Sequence, residues 1–223
     1  LTARVLDAFC GAGGATRGYQ LRGCHVTGVD IAPQPDYCGD EFVRDDAVAF
    51  VLEFGREFDF IHLSPPCQGY SALTVGTNES SGRDAALGYP KLIPEARAAA
   101  HSTRRPFVIE NVLGSPLRKD VLLCGEMFRL GVIRHRVFEL GRWFTRAPVH
   151  PRHRGRVSGH RHGRNFAGPY VAVYGDGGGK GSIAHWQQAM EINWTDDRHG
   201  IAEAIPPAYT SWLIDRVRAC GQL

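Results

Sequence analysis

A chain of 223 residues, 43% of them apolar, can build one well-packed domain with a small appendage, but hardly two full domains. Charge or glycine breaks every apolar run well short of the ~18 residues a membrane span needs, and no leader-like segment precedes the first strand-like stretch, so the expectation is a soluble, cytoplasmic monomer with no membrane partner. None of the six cysteines stands in a Cys-x-x-Cys pair, which speaks against a zinc ribbon or a disulfide framework and leads to an expectation of a reducing compartment and no bound metal.

The chain opens on Val5-Leu6-Asp7-Ala8-Phe9, a buried strand by composition, which enters the glycine turn Cys10-Gly11-Ala12-Gly13-Gly14 and then a helix-compatible stretch from Ala15 to Leu21. A second strand, His25 to Val29, ends at Asp30. A third, Phe42-Val43, precedes Asp45-Asp46 and a helical stretch from Ala47 to Phe54, and a fourth, Phe58 to Leu63, runs into Ser64-Pro65-Pro66. After a polar loop come an alanine-rich helix around Lys91 to His101 and the strand Phe107-Val108-Ile109, which ends at Glu110-Asn111. Strands alternating with helices predict an α/β fold with a mostly parallel sheet covered on both faces. Sites in such sheets gather at the carboxyl ends of strands, so Gly13, Asp30, Asp46, Cys67 and Glu110 should face one crevice.

From about Gly141 to Ser182 the pattern changes to Arg, His, Gly and Pro, with one plausible strand at Tyr170 to Tyr174 and a nearly structureless composition from Gly175 to Gly181. Between Arg142 and Arg164 there are seven arginines and four histidines and no acid, the electrostatic footprint of a phosphate-rich partner. Helical patterning returns at Ala184 to Met190, and Ala208 to Ala219 reads as a closing helix after Pro206-Pro207. The organisation expected is a catalytic domain of residues 1–139 and 185–223 interrupted by a small basic recognition region, 140–184.

The glycine turn alone is weak evidence for a nucleotide, since Thr16 holds the third glycine position of the dinucleotide pattern. The acids sharpen it. Asp30 at a strand end suits a ribose diol, and an acid after the third strand suits an adenine amine; a nucleoside without a phosphate chain fits, and S-adenosylmethionine is the obvious candidate. Pro65-Pro66 stiffen the backbone before Cys67, holding a thiol at a fixed place over the sheet edge. To act as a nucleophile it must ionise, which nearby arginines would favour.

Asp7-Ala8-Phe9-Cys10-Gly11-Ala12-Gly13-Gly14, Pro66-Cys67-Gln68, Glu110-Asn111-Val112, Arg134-His135-Arg136 and Pro206-Pro207-Ala208-Tyr209-Thr210 occur in the order seen in the DNA cytosine-5 methyltransferase family, which the chain resembles over residues 1 to about 139 and 185 to 223. The resemblance implies a Rossmann-like S-adenosylmethionine-dependent methyltransferase fold with a small irregular recognition insert. It implies a cofactor site of Phe9, Gly11, Gly13, Gly14, Asp30, Ile31, Asp46 and Pro66, with S-adenosylhomocysteine as product. Cys67 would add to carbon 6 of cytosine, which turns carbon 5 into an enamine-like nucleophile; Glu110, protonated, would serve ring nitrogen 3; Arg136 would fix the carbonyl and support Glu110, and Arg134 would favour the thiolate. Gln68, Ser71, Arg142, Arg152, Arg154, Arg156, Arg161 and Arg164 would contact DNA, whose target base must be flipped out.

The chain departs from the family in three places. Val132 replaces a glutamine, Ala202-Glu203 replaces a Gly-Asn pair beside the donor, and the recognition region has about forty residues, a compact form compatible with a phage or bacterial origin and a restriction-modification setting. So short a region predicts relaxed sequence specificity and binding that falls steeply with salt. The same chemistry on RNA, as in the tRNA-modifying branch of that family, and a catalytically silent binding relative are the alternative readings.

Overall fold

The computed structural model describes residues 2–70, 90–161, 164–175 and 181–223, with His160 and Arg161 as backbone. The strands are β1 (Arg4–Ala8), β2 (His25–Asp30), β3 (Glu41–Arg44), β4 (Phe60–Leu63), β5 (Phe107–Asn111), β6 (Val121–Leu123), β7 (Arg136–Gly141), β8 (Gly159–Arg161) and β9 (Arg164–Phe166). The helices are α1 (Gly14–Gln20), α2 (Ala47–Phe54), α3 (Ile93–Thr103), α4 (Ile183–Met190), α5 (Arg198–Glu203) and α6 (Pro207–Ala219). Seven strands form one sheet in the order β3-β2-β1-β4-β5-β7-β6, and β8 and β9 form a separate antiparallel pair.

Period-two alternation divides the core between the sheet's faces. Val5, Phe60 and Val108 join Tyr19, Trp186, Tyr209, Leu213 and Ile214 on one side. Their neighbours Leu6, Ile61 and Ile109 join Val51, Ile93, Ala96 and Phe107 on the other. Helices α1, α4 and α6 therefore cover one face and α2 and α3 the opposite one.

β1, β2, β3, β4 and β5 are parallel, while β7 runs antiparallel to both β5 and β6. From β1 the chain builds outward through β2 and β3, then returns and builds the other way through β4 and β5. Strand order thus reverses between β1 and β4, which opens a crevice at their carboxyl ends. The glycine turn follows β1 and the Pro65-Pro66-Cys67 segment follows β4, so both border it.

Helices α2, α4 and α6 lie within a residue of the stretches expected from the pattern, and β4 is shorter, Phe58 lying outside it. The strand expected at Tyr170 to Tyr174 does not form: Tyr170 makes an isolated bridge to Val157, and the hairpin of the region is β8–β9 instead. Tyr170, Ala172 and Val173 are buried nonetheless, so their apolar character serves packing and not a ladder. The glycine run noted in the sequence lies mostly outside the described residues. β7 extends to Gly141, and the buried indole of Trp143 donates to the Phe107 carbonyl at 2.8 Å, which anchors the start of the basic segment to the sheet.

The diproline block near the end is explained by the contact of α6 with α1. Thr210 Oγ1 donates to the Ala15 carbonyl at 2.8 Å and Ser211 Oγ to that of Gly18 at 2.8 Å. The helices approach so closely that a Cβ on Gly18 would run into Thr210 Oγ1 and the Pro207 carbonyl. Gly18→Ala should lower the urea unfolding midpoint, corresponding to a loss of about 1–3 kcal/mol from overpacking; an unchanged midpoint would show that α6 moves aside freely.

Candidate active site

A cavity of about 500 Å³ opens at the reversal of strand order, in the size range of small-molecule sites. Phe9, Gly11, Gly14, Asp30 and Ile31 line one part of it and Pro66, Cys67, Gln68, Glu110 and Arg136 another. Residues well over a hundred positions apart in sequence therefore line one cavity.

The glycine turn is held from three directions. Phe9 takes a left-handed φ of 62°, with its amide donating to the Val29 carbonyl at 2.8 Å. Gly11 N donates to Asp30 Oδ2 at 3.0 Å and Ala32 N to Oδ1 at 3.0 Å, so the Asp30 carboxylate first clamps the two loops that would embrace a ligand. Trp194 Nε1 donates to the Ala12 carbonyl at 2.8 Å. A Cβ on Gly14 would meet the Ile205 carbonyl oxygen at 2.5 Å, which explains the glycine there. Gly13, with φ 89°, is buried behind the turn against Tyr37 and Cys38 rather than lining the cavity. Asp46 is exposed and caps α2, accepting from Ala49 N at 2.9 Å, and it too lies off the cavity wall.

Beneath the turn, Asp7 is fully buried and accepts from Thr16 Oγ1 at 2.6 Å. Thr16 thus stands where the dinucleotide pattern has glycine because its hydroxyl serves Asp7. Burial pushes the Asp7 carboxyl up to about 7. Its Oδ1 has no hydrogen-bond partner among the described residues, and Asp7 borders the cavity, so a cationic group of a ligand would satisfy it.

Cys67 is partly buried beyond the two prolines, and Asn111 Nδ2 donates to the Pro65 carbonyl at 2.8 Å, tying the segment to β5. Arg136 Nε lies 2.8 Å from Glu110 Oε1, and Glu110 is 6% exposed. The pair is off-line as a hydrogen bond, and Oε1 has no well-directed donor among the described residues. Burial pushes the Glu110 carboxyl up, against the opposing pull of Arg136 and Arg134. The arginines do not win at Cys67 either: burial and the Glu110 charge hold its thiol above the ordinary value, so the thiolate expected from the sequence is not the resting form.

Arg134 is the most constrained of the expected residues. Its guanidinium donates to the Val173 carbonyl at 3.0 Å and the Ala202 carbonyl at 2.6 Å, and Tyr209 Oη donates to its own carbonyl at 2.7 Å. It therefore joins the β6–β7 loop to the insert and to α5, with its charge felt at Cys67; its buried Nε has no hydrogen-bond partner among the described residues, and burial lowers its pKa to about 9. Gln68 Nε2 donates to Glu203 Oε1 at 2.9 Å, so the acid at 203 engages the residue after Cys67.

One network escaped the sequence reading. Tyr19 Oη is 2.7 Å from His62 Nδ1, and His62 Nε2 is 2.9 Å from Ser64 Oγ, whose hydroxyl hydrogen-bonds the Glu110 carboxyl. Burial lowers His62 to about 3, so the ring is neutral and the chain of hydrogen bonds runs from α1 to Glu110 without charge. A single histidine inside an apolar strand gives no signal of this in the sequence.

Of the residues expected at the nucleic acid, Arg142, Arg152, Arg156 and Arg164 are exposed and make no ion pair among the described residues. Arg154 differs: its Nε is 2.5 Å from Glu126 Oε1, an acid outside the basic segment, so this side chain fastens the insert to the domain. Ser71 and the Arg161 side chain lie outside the described residues.

No family model matches the chain, and no curated protein matches it in sequence. Solved structures do. The S. pombe Dnmt2 methyltransferase is similar over 98% of this chain and 99% of that one, with a TM-score of 0.63 at 14% identity. The Entamoeba histolytica methyltransferase EhMeth is similar over 98% of each, with a TM-score of 0.58 at 10% identity. The fold is the Rossmann-like fold of these methyltransferases. A SAM-dependent methyltransferase from Agrobacterium tumefaciens matches only 50% of this chain and 39% of its own, with a TM-score of 0.34 and 16% identity, which is too slight a likeness to carry an argument. No helix among the described residues is long and apolar enough to cross a membrane.

Because the Glu110 charge helps to keep the Cys67 thiol protonated, Glu110→Gln should shift the pH midpoint of Cys67 alkylation downward, followed on the Cys67 peptide by mass spectrometry. An unmoved midpoint would mean that the carboxylate does not act on the thiol.

Proposed function

We propose that the chain transfers a methyl group from S-adenosylmethionine to carbon 5 of cytosine in DNA, by way of a covalent adduct on Cys67. The observation that carries this reading is the convergence of Cys67, Glu110 and Arg136 on the same cavity as the glycine turn and Asp30. A binding module has no use for a thiol on a diproline segment facing a buried, arginine-paired carboxyl.

The cavity fits the cofactor in size and in the chemistry of its walls. The ring of Phe9 is available beside an adenine, Asp30 retains acceptor capacity for a ribose diol, and the orphaned Asp7 Oδ1 suits an ammonium group. When bound, S-adenosylmethionine supplies an electrophilic methyl group on a sulfonium.

The residues of the chain do the rest. A cytosine extruded into the crevice meets the Cys67 sulfur at carbon 6. As the carbon–sulfur bond forms, electron density moves through the ring toward nitrogen 3, where protonated Glu110 donates its proton; Arg136, 2.8 Å from Glu110, holds that carboxyl in place. The two ionisations are coupled. A protonated Glu110 no longer raises the Cys67 pKa, so supplying the acid for nitrogen 3 also favours the thiolate at carbon 6. After transfer to carbon 5, the carbon 5 proton passes to solvent water, the electron pair it leaves re-forms the 5,6 double bond and expels the Cys67 thiolate, and the nitrogen 3 proton returns to Glu110, which restores the aromatic ring.

The insert, residues 140–184, would track the DNA backbone through Arg142, Arg152, Arg156 and Arg164. With few side chains left to read base edges, specificity is short or relaxed.

Incubation with cofactor and a duplex containing 5-fluorocytosine should give an adduct stable to denaturation, because fluorine at carbon 5 blocks the final elimination; Cys67→Ser should abolish it. An adduct on fluorocytosine RNA and none on DNA would transfer the chemistry to RNA, and none on either would leave a binding protein. Log affinity for DNA should fall linearly with log salt, and replacing Arg152 and Arg156 together by Ala should reduce the slope by about 2. A slope unaffected by that replacement would remove the insert from the DNA interface.

A further inference from the structure

The sequence has no Cys-x-x-Cys pair, yet the fold joins the His150-Pro-Arg-His153 pair to two ligands from distant parts. Cys124 directly follows β6, His135 directly precedes β7, and His150 and His153 lie in the irregular basic segment beyond β7. One ligand atom from each comes within 4.8 Å of all the others. His135 Nε2 is 2.8 Å from His150 Nε2, and Cys124 Sγ is 3.4 Å from His153 Nε2. The three imidazole rings stand in a triangle with centroids 4.9, 5.2 and 5.0 Å apart.

As an ordinary packing cluster this arrangement is poor. Three imidazoles and a thiol turn toward one another with no carboxylate in the group to accept from them, and of the four only the thiol also reaches a backbone carbonyl among the described residues, that of Ile133 at 3.0 Å. Any two protonated rings would repel at this range, and the neutral rings have more donor and acceptor nitrogens than such mutual pairs can serve. A divalent cation at the centre satisfies all four at once, each imidazole giving a lone pair and the thiol giving a thiolate after losing its proton to solvent.

We propose that Cys124, His135, His150 and His153 bind a zinc ion tetrahedrally. Zinc–nitrogen bonds of about 2.0–2.1 Å and a zinc–sulfur bond of about 2.3 Å place the ligand atoms of a regular tetrahedron roughly 3.3–3.6 Å apart. The separations here, from 2.8 to 4.8 Å, bracket that range, so shifts on the order of an ångström close the site. Thiolate and imidazole are ligands that zinc prefers, and four protein ligands leave no open position, which makes the site structural.

The position gives the ion a task. The segment from Arg142 to Ser158 has no regular strand or helix, and a segment so rich in arginine gains little from a core. Zinc would fasten it at His150 and His153 to the ends of β6 and β7, beside the Arg154–Glu126 pair. His135 is the neighbour of Arg136, so the same ion would steady the backbone that presents Arg136 to Glu110. This site is independent of the reaction proposed above.

The test is metal analysis of the full chain, purified without a histidine tag and without chelators. The result expected is about one zinc per chain. Cobalt substitution should give the intense ligand-field bands of a tetrahedral site together with a thiolate charge-transfer band that Cys124→Ser removes. His150→Ala and His153→Ala, in the loop and so harmless to the sheet, should each lose zinc about tenfold or more under mild chelation while far-ultraviolet circular dichroism stays unchanged. His25→Ala, remote from the cluster, should keep its zinc. A wild-type chain that holds no zinc after dialysis against the free ion, or zinc content that the Cys124, His150 and His153 variants leave unaltered, would overturn the assignment.

Discussion

Glu110 sits at the end of β5 with almost no contact with solvent, and an ionised carboxyl there is costly unless it is met by charge or by a proton. Arg136 at 2.8 Å meets the charge, while burial favours the proton. Much of the surrounding structure serves to keep this balance. Ser64, His62 and Tyr19 extend inward from the carboxyl as a neutral hydrogen-bonded chain, and Arg134, whose two terminal nitrogens are held by carbonyls, adds positive charge from behind. Cys67, in reach of the same field, has its thiol held up first by burial and then by the Glu110 charge, against the pull of the two arginines.

The opposite wall of the cavity depends on a different constraint, the closeness of backbones. The turn after β1 is pressed from below by the 204–205 segment and α6, which is why Gly14 and Gly18 tolerate no side chain, and it is tied from the side by Trp194 and Asp30. The carboxyl-terminal part of the chain is thus as much a component of this wall as the amino-terminal turn. Glu203 belongs to this part, and through Gln68 it links α5 to the segment that carries Cys67. The two walls are therefore mechanically connected across the crevice.

The basic segment has its own economy. Its arginines repel one another, and few apolar residues offset that cost. Trp143 at one end and Tyr170, Ala172 and Val173 at the other are buried, Arg154 finds Glu126, and His150 and His153 gather with His135 and Cys124. Between these points Arg146, Arg152, Arg156 and Arg164 stay exposed.

The sequence by itself determined the alternation of strands and helices, because apolar periodicity and the Gly and Pro punctuation are local properties, and helices α2, α4 and α6 could be read almost to the residue. It also placed Cys67, Glu110 and the glycine turn at strand ends facing one crevice, and these residues do line one cavity, together with Arg136, which only the resemblance singled out. Only the tertiary structure decided what those residues are worth. The resting protonation of Cys67 depends on burial and on a carboxyl forty-three positions away; the retirement of Asp46 to a helix cap, of Gly13 to the back of the turn and of Arg154 to an ion pair depends on which partners the fold delivers. The strand expected at Tyr170 to Tyr174 failed because an alternating apolar stretch packs equally well without a ladder partner. The convergence of Cys124 and His135 with the His150-x-x-His153 pair left no mark beyond that pair, since ligand geometry is fixed by distances in space, and the other intervals in sequence are set by whatever length of chain each connection needs.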